Sequence, residues 1–130
     1  MAVTHSTAAK NAATDAVTAL IGTSGKLKFR INPSSVATPG TVVATLPLSA
    51  TAFGASSSGT ATANAITSDT NATGNASAVA YATLETSAGV VVIHCAVAAS
   101  GSDVNMSNGL TVSAGDTVSC SSLTYAALSG

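Results

Sequence analysis

The imidazole and thiol groups of this chain are His5, His94, Cys95 and Cys120, which formally supply the ligand count of a zinc site. Their placement argues against one. His94 and Cys95 are neighbours in a segment of strand character, and successive residues of a strand point to opposite faces. A hydrolytic triad needs a nucleophile, a base and an orienting acid converging in a pocket. Serines abound, yet the bases are His5, in an expected tail, and His94, inside an expected strand. No Gly-x-Ser-x-Gly elbow precedes a helix. Paired carboxylates for glycoside chemistry must lie within about 10 Å of each other, whereas the acidic residues here are scattered among turns and a helix. Asp69, Asn71 and Asp103 lack the calcium-loop pattern, and no Gly-Lys-Thr or Gly-Lys-Ser phosphate loop is present. The residues point to a protein without catalysis, cofactor or metal.

Cys95 and Cys120 remain, both in expected strands. Free structural thiols are the default for a chain made in a reducing cytoplasm. A bond within the chain, formed after release from the cell, and bonds between subunits stay open as alternatives. A reactive role would need a nearby cation or helix N-terminus, and strand alternation turns Cys95 away from His94.

Only 7% of the residues are charged and 3% are aromatic, against roughly 25% charged in an ordinary soluble domain. The surface must be hydroxyl and amide, and the core is short of bulk. Burial at about 25 cal/mol per Å² then leaves a thin margin over chain entropy, so homo-oligomerisation is expected. The formal net charge of −1 speaks against nucleic acid, which demands a basic surface. No apolar run reaches the roughly 20 residues of a membrane span, and no signal peptide is evident, so no membrane partner is expected. The Asn-x-Ser/Thr matches at Asn71, Asn75 and Asn105 are those chance supplies in so Ser- and Thr-rich a chain.

The positioning elements centre on Ala78 to Val97, the densest apolar stretch. Two extended segments, Ala78 to Glu85 and Val90 to Val97, flank Thr86-Ser87-Ala88-Gly89, a tight hairpin loop in which Gly89 is free to take φ > 0. Ahead of it, residues 1–5 read as a tail and 6–22 as a helix, with Ser6 as N-cap and Gly22 as stop. The helix's apolar stripe, Ala9, Ala13, Ala16, Val17, Leu20 and Ile21, is expected to cover a sheet or another subunit. Residues 23–130 form one β domain that is a single unit with the helix. Strict alternation from Lys26 to Ile31 marks a strand with Leu27, Phe29 and Ile31 on one face and Lys26, Lys28 and Arg30 on the other. Those three charges either blunt an exposed edge or contact an acidic partner. Thr41 to Leu48 and Thr60 to Ile66 read as strands, with Phe53 as a core plug between them. Thr67 to Ser77 reads as a mobile loop and Ala99 to Ser107 as a polar one. Leu110 to Val112 and Thr117 to Tyr125 complete the strands. The fold class is mainly β, an antiparallel sandwich or barrel-like domain behind one N-terminal helix.

Several stretches in order resemble a family of small virion structural proteins of tailed bacteriophages. They are Ala8 to Val17, Gly25 to Phe29, Val43 to Ser49 followed by Ala52-Phe53-Gly54-Ala55, Ala61 to Ser68, Ser100 to Met106 and Val112 to Ser119. The chain departs from that pattern at Cys95 and Cys120, which favours pairing somewhat. The resemblance implies a non-enzymatic virion component, a multi-copy capsid decoration or other head-associated protein, synthesised in a bacterial cytoplasm. Its implied partners are a major capsid or neck protein. The alternative is a neck, tail or fibre module that binds glycans, for which the aromatic platforms are scarce.

Overall fold

The computed structural model describes residues 3–106 and 108–128; Met1 and Ala2 of the expected tail, and the last two residues of the β domain, lie outside the described residues. Helix α1 spans Thr7–Ala19. The Ser6 hydroxyl accepts the Ala9 N–H at 3.1 Å, satisfying one of the orphan donors of the first turn. The strands are β1 (Lys26–Arg30), β2 (Val42–Pro47), β3 (Thr60–Thr62), β4 (Tyr81–Glu85), β5 (Val91–Ala98), β6 (Val104–Asn105) and β7 (Thr124–Ala126). They form a five-stranded sheet in the order β2-β1-β4-β5-β6 and a two-stranded sheet of β3 and β7. The fold is mainly β and sandwich- or barrel-like behind its helix, as the sequence predicts. The main sheet is mixed and not purely antiparallel, because β6 runs parallel to β5 through Val97↔Val104 and Ala98↔Asn105.

The hairpin of β4 and β5 forms with the expected loop: Thr86 N–H bonds Val90 O at 3.0 Å, and Gly89 has φ +85°. Registers Leu27↔Leu46 and Phe29↔Ala44 with β2, and Leu27↔Leu84 and Phe29↔Ala82 with β4, put these residues on the core face. They share one cluster with Ile21, Phe53, Ala61, Val79, Val112 and Val118. Phe53 is the plug the sequence suggests, 5% exposed.

Much of the second half of the core is walled by hydrogen-bonded but irregular chain. The segment 67–77, expected to be mobile, is pinned on both sides, and Val79 just after it is held in the same way. Thr67 and Gly74 donate to Pro47 O and Val43 O of β2, while Asp69, Ala72, Asn75 and Val79 donate to the carbonyls of Val118, Asp116, Val112 and Leu110. Residues 110–112 and most of 117–125 therefore do not form the expected strands, yet their carbonyls do a strand's work; the regular part is β7 alone. Gly74 makes this approach feasible: it has φ +73°, and a Cβ there would overlap the backbone of Ser113 and Ala114.

Candidate functional site

The three basic residues of β1 do not line an edge. Strand β1 lies between β2 and β4, so edge protection is not their role. The register places Thr83 opposite Lys28 and Glu85 opposite Lys26. Arg30 is 6% exposed and Glu85 1%. Glu85 Oε2 accepts from Arg30 Nη2 at 2.6 Å, and Glu85 Oε1 lies 3.1 Å from Lys28 Nζ. Thr83 Oγ1 accepts from Arg30 Nε at 3.0 Å and donates to Glu85 Oε2. Burial alone would raise the Glu85 carboxyl, but hydrogen bonds from Thr83, Arg30 and Lys28 outweigh it and hold the group below its ordinary value. Two of the three charges of the stripe are thus paired with Glu85 inside the protein. Of the three candidate contact residues, Arg30 is withdrawn from partners, Lys28 is committed to Glu85, and Lys26 has no ion pair among the described residues.

The polar face extends to His94. Its Nε2 lies 2.9 Å from Ser34 Oγ, and its ring is tilted against Tyr81 at a centroid distance of 5.0 Å. With Nε2 unprotonated this has the form of a nucleophile–base pair. Among the described residues His94 has no carboxylate partner to orient it. The contact instead fastens segment 32–41 across the sheet, a task shared by Arg30 Nη1, which donates to Gly40 O at 2.5 Å. The Ser34–His94 meeting was not legible in the sequence, since the residues lie 60 positions apart. The Glu85 pairing left a trace there: strand alternation puts Tyr81, Thr83 and Glu85 on one face.

Helix α1 is docked by its polar side. Thr14, the buried residue of α1, donates to Gly59 O at 2.7 Å and accepts from Ala127 N at 3.1 Å. Asn11 Oδ1 accepts from Gly59 N at 2.8 Å, and Asp15 Oδ1 from Ser56 N at 2.9 Å. Gly59, at φ +83°, lies so close to Lys10 that a Cβ there would be 2.9 Å from the lysine Cβ. The expected apolar stripe is therefore split, with half of its members turned outward. Of its members Ile21 is buried, Ala13 and Val17 are half-buried, and Ala9, Ala16 and Leu20 are exposed. With Ala8, Ala12 and Ala19 these form one uncharged outer face, with Leu20 66% exposed.

Both cysteines are free and half-buried. Cys95 lies in β5, where its Sγ donates to Ala82 O at 3.5 Å. Burial, then the Asp103 carboxylate, push its thiol up to about 11. Cys120, expected in a strand over 117–125, lies in its irregular part ahead of β7; burial raises its thiol, and its Sγ donates to Ser122 O at 3.4 Å. It lines a cleft of about 680 Å³ with Phe29, Met106, Val112, Val118 and Leu123, rimmed by Ser, Thr, Asn and Asp side chains. No group of three or more His, Cys, Asp or Glu able to hold a metal occurs among the described residues, and no helix there is long and apolar enough to cross a membrane. Comparison of the chain with protein-family models, with curated proteins and with solved structures finds no match.

Proposed function

We propose that this chain is a non-enzymatic structural subunit of a bacteriophage particle, present in many copies as a capsid decoration or other head-associated protein. The observation that carries the reading is the inverted polarity of α1. Asn11, Thr14 and Asp15 face the protein's own backbone, while Ala8, Ala9, Ala12, Ala16, Ala19 and Leu20 face outward. A helix usually buries its apolar side and wets its polar one. A subunit that docks its helix through hydrogen bonds keeps the apolar side for a neighbour. The resemblance to small phage virion proteins supplies the kind of neighbour: other virion proteins, such as the major capsid or neck protein, and copies of itself. The protein is then made in the bacterial cytoplasm and resides in the virion, with no nucleic acid or membrane as partner.

Locating the protein in intact particles by cryo-microscopy tests this directly. The protein carrying Ala12→Lys and Ala16→Lys should fold normally and be lost from particles; absence of the unaltered protein from purified particles removes the reading. The cleft beside Cys120 favours a second reading, a glycan-binding module of a neck, tail or fibre, because its rim is hydroxyl and amide. Retention on a glycan array that Asn108→Ala abolishes would choose it.

A further inference from the structure

We infer that the open edge of β5 is a self-association surface, on which a second copy of this chain adds its own β5 antiparallel to extend the sheet. The two edges of the main sheet are treated differently. At β2 the edge is sealed: Asp69 Oδ2 accepts the Thr45 N–H at 2.9 Å, and segment 67–75 bonds Val43 and Pro47. At β5 the cover stops short. Strand β6 pairs with Val97 and Ala98, and Asp103 Oδ2 takes the Ala96 N–H at 3.0 Å. From Val91 to Cys95 the strand pairs with β4 alone, and among the described residues no loop backbone bonds to it.

Val97 N–H points inward to Ala80 O and Ala96 N–H points outward to Asp103. Strand alternation then turns the His94 N–H and C=O outward. The bulge opposite Leu84 and Glu85 sits at the hairpin end and leaves His94 clear. The edge is β-branched and uncharged, Val90-Val91-Val92-Ile93 beside His94, with Val90 61% exposed. Natural edges are blunted by lysine, proline or cover, and this one has none of them between Val91 and Cys95. Two identical edges meet without like-charge opposition, and an antiparallel pair of them is a self-complementary twofold contact. Because the β2 edge is sealed, the contact closes as a dimer and cannot propagate head to tail. The inference rests on the multi-copy reading above for its choice of a second copy as occupant.

The test is sedimentation of the purified full chain over a range of concentrations, with hydrogen exchange on the same samples. A monomer–dimer equilibrium is expected, with protection of the His94 amide rising with concentration while the Ile93 amide stays constant. His94→Ala removes the bond to Ser34 but keeps the backbone donor, and should still dimerise. His94→Pro removes the outward donor and should be monomeric. A monomer at millimolar concentration overturns the inference, as does any assembly that His94→Pro leaves intact or that leaves exchange at His94 unchanged. The exchange measurement on the unaltered protein decides the matter if His94→Pro fails to fold. A dimer of this kind in a protein absent from particles would keep this inference and remove the virion reading.

Discussion

Glu85 Oε2 lies 2.6 Å from Arg30 Nη2 in the interior of the main sheet, with both side chains withdrawn from water. The carboxylate is shared with Lys28 and Thr83. Removing one member strands a buried charge, which costs about 3–5 kcal/mol. Glu85→Ala should lower stability by that amount in urea unfolding. The triple replacement Lys28→Met, Arg30→Met and Glu85→Leu should recover most of it, because no unpaired charge is left. A Glu85→Ala change that costs nothing would show the cluster to be solvated.

The same carboxyl makes stability pH-dependent. Its folded pKa lies below the ordinary 4.5, so its contribution is complete above that value and is lost as pH falls through the lower folded one. The urea midpoint should fall as the pH drops below about 4.5, and Glu85→Gln should flatten that part of the curve.

Thr14→Val keeps the volume of a buried helical residue but leaves Gly59 O and Ala127 N without their bonds. A cost of about 1–3 kcal/mol is expected. Ala12→Lys and Ala16→Lys, on the opposite face, should shift stability by no more than about 0.5 kcal/mol each. Thermal unfolding of the three variants compares the inner and outer sides of α1; a reversed ranking would contradict the docking described.

Gly74→Ala should destabilise by more than about 1 kcal/mol, since φ +73° disfavours any Cβ and the Cβ would meet the backbone of residues 113–114. Exchange of the Asn75 and Val79 amides, which bond across this approach, should accelerate in the variant.

Cys95, with its thiol raised to about 11 by burial and Asp103, is almost wholly protonated at neutral pH. Alkylation by iodoacetamide should be slow in the folded protein and fast in urea, with Cys120 also slowed by its burial. Rapid labelling of either in the folded state would contradict a structural role.

The helix with its Ser6 cap, the strand of alternating Leu27 and Phe29, the central hairpin with Gly89 and the buried Phe53 were all legible along the chain. Each depends on neighbours a few residues apart, where capping, turn chemistry and side-chain period operate. What the linear pattern could not supply was adjacency. The stripe of Lys26, Lys28 and Arg30 looks the same on an edge strand as on an inner one, and only the pairing of β1 with β4 brings Glu85 to it. The alanine stripe of α1 looks like a buried face by its period. Alanine gains little by burial, so the hydrogen bonds of Asn11, Thr14 and Asp15 to residues 56–59 decided which side faces in. Segment 67–77 has the composition of a free loop, and long-range backbone bonds to β2 and 112–118 hold it. Composition thus determined a charge-poor β protein with one helix, whereas contacts across dozens of residues decided which of its charges are paired, which helix face is open and which sheet edge is free.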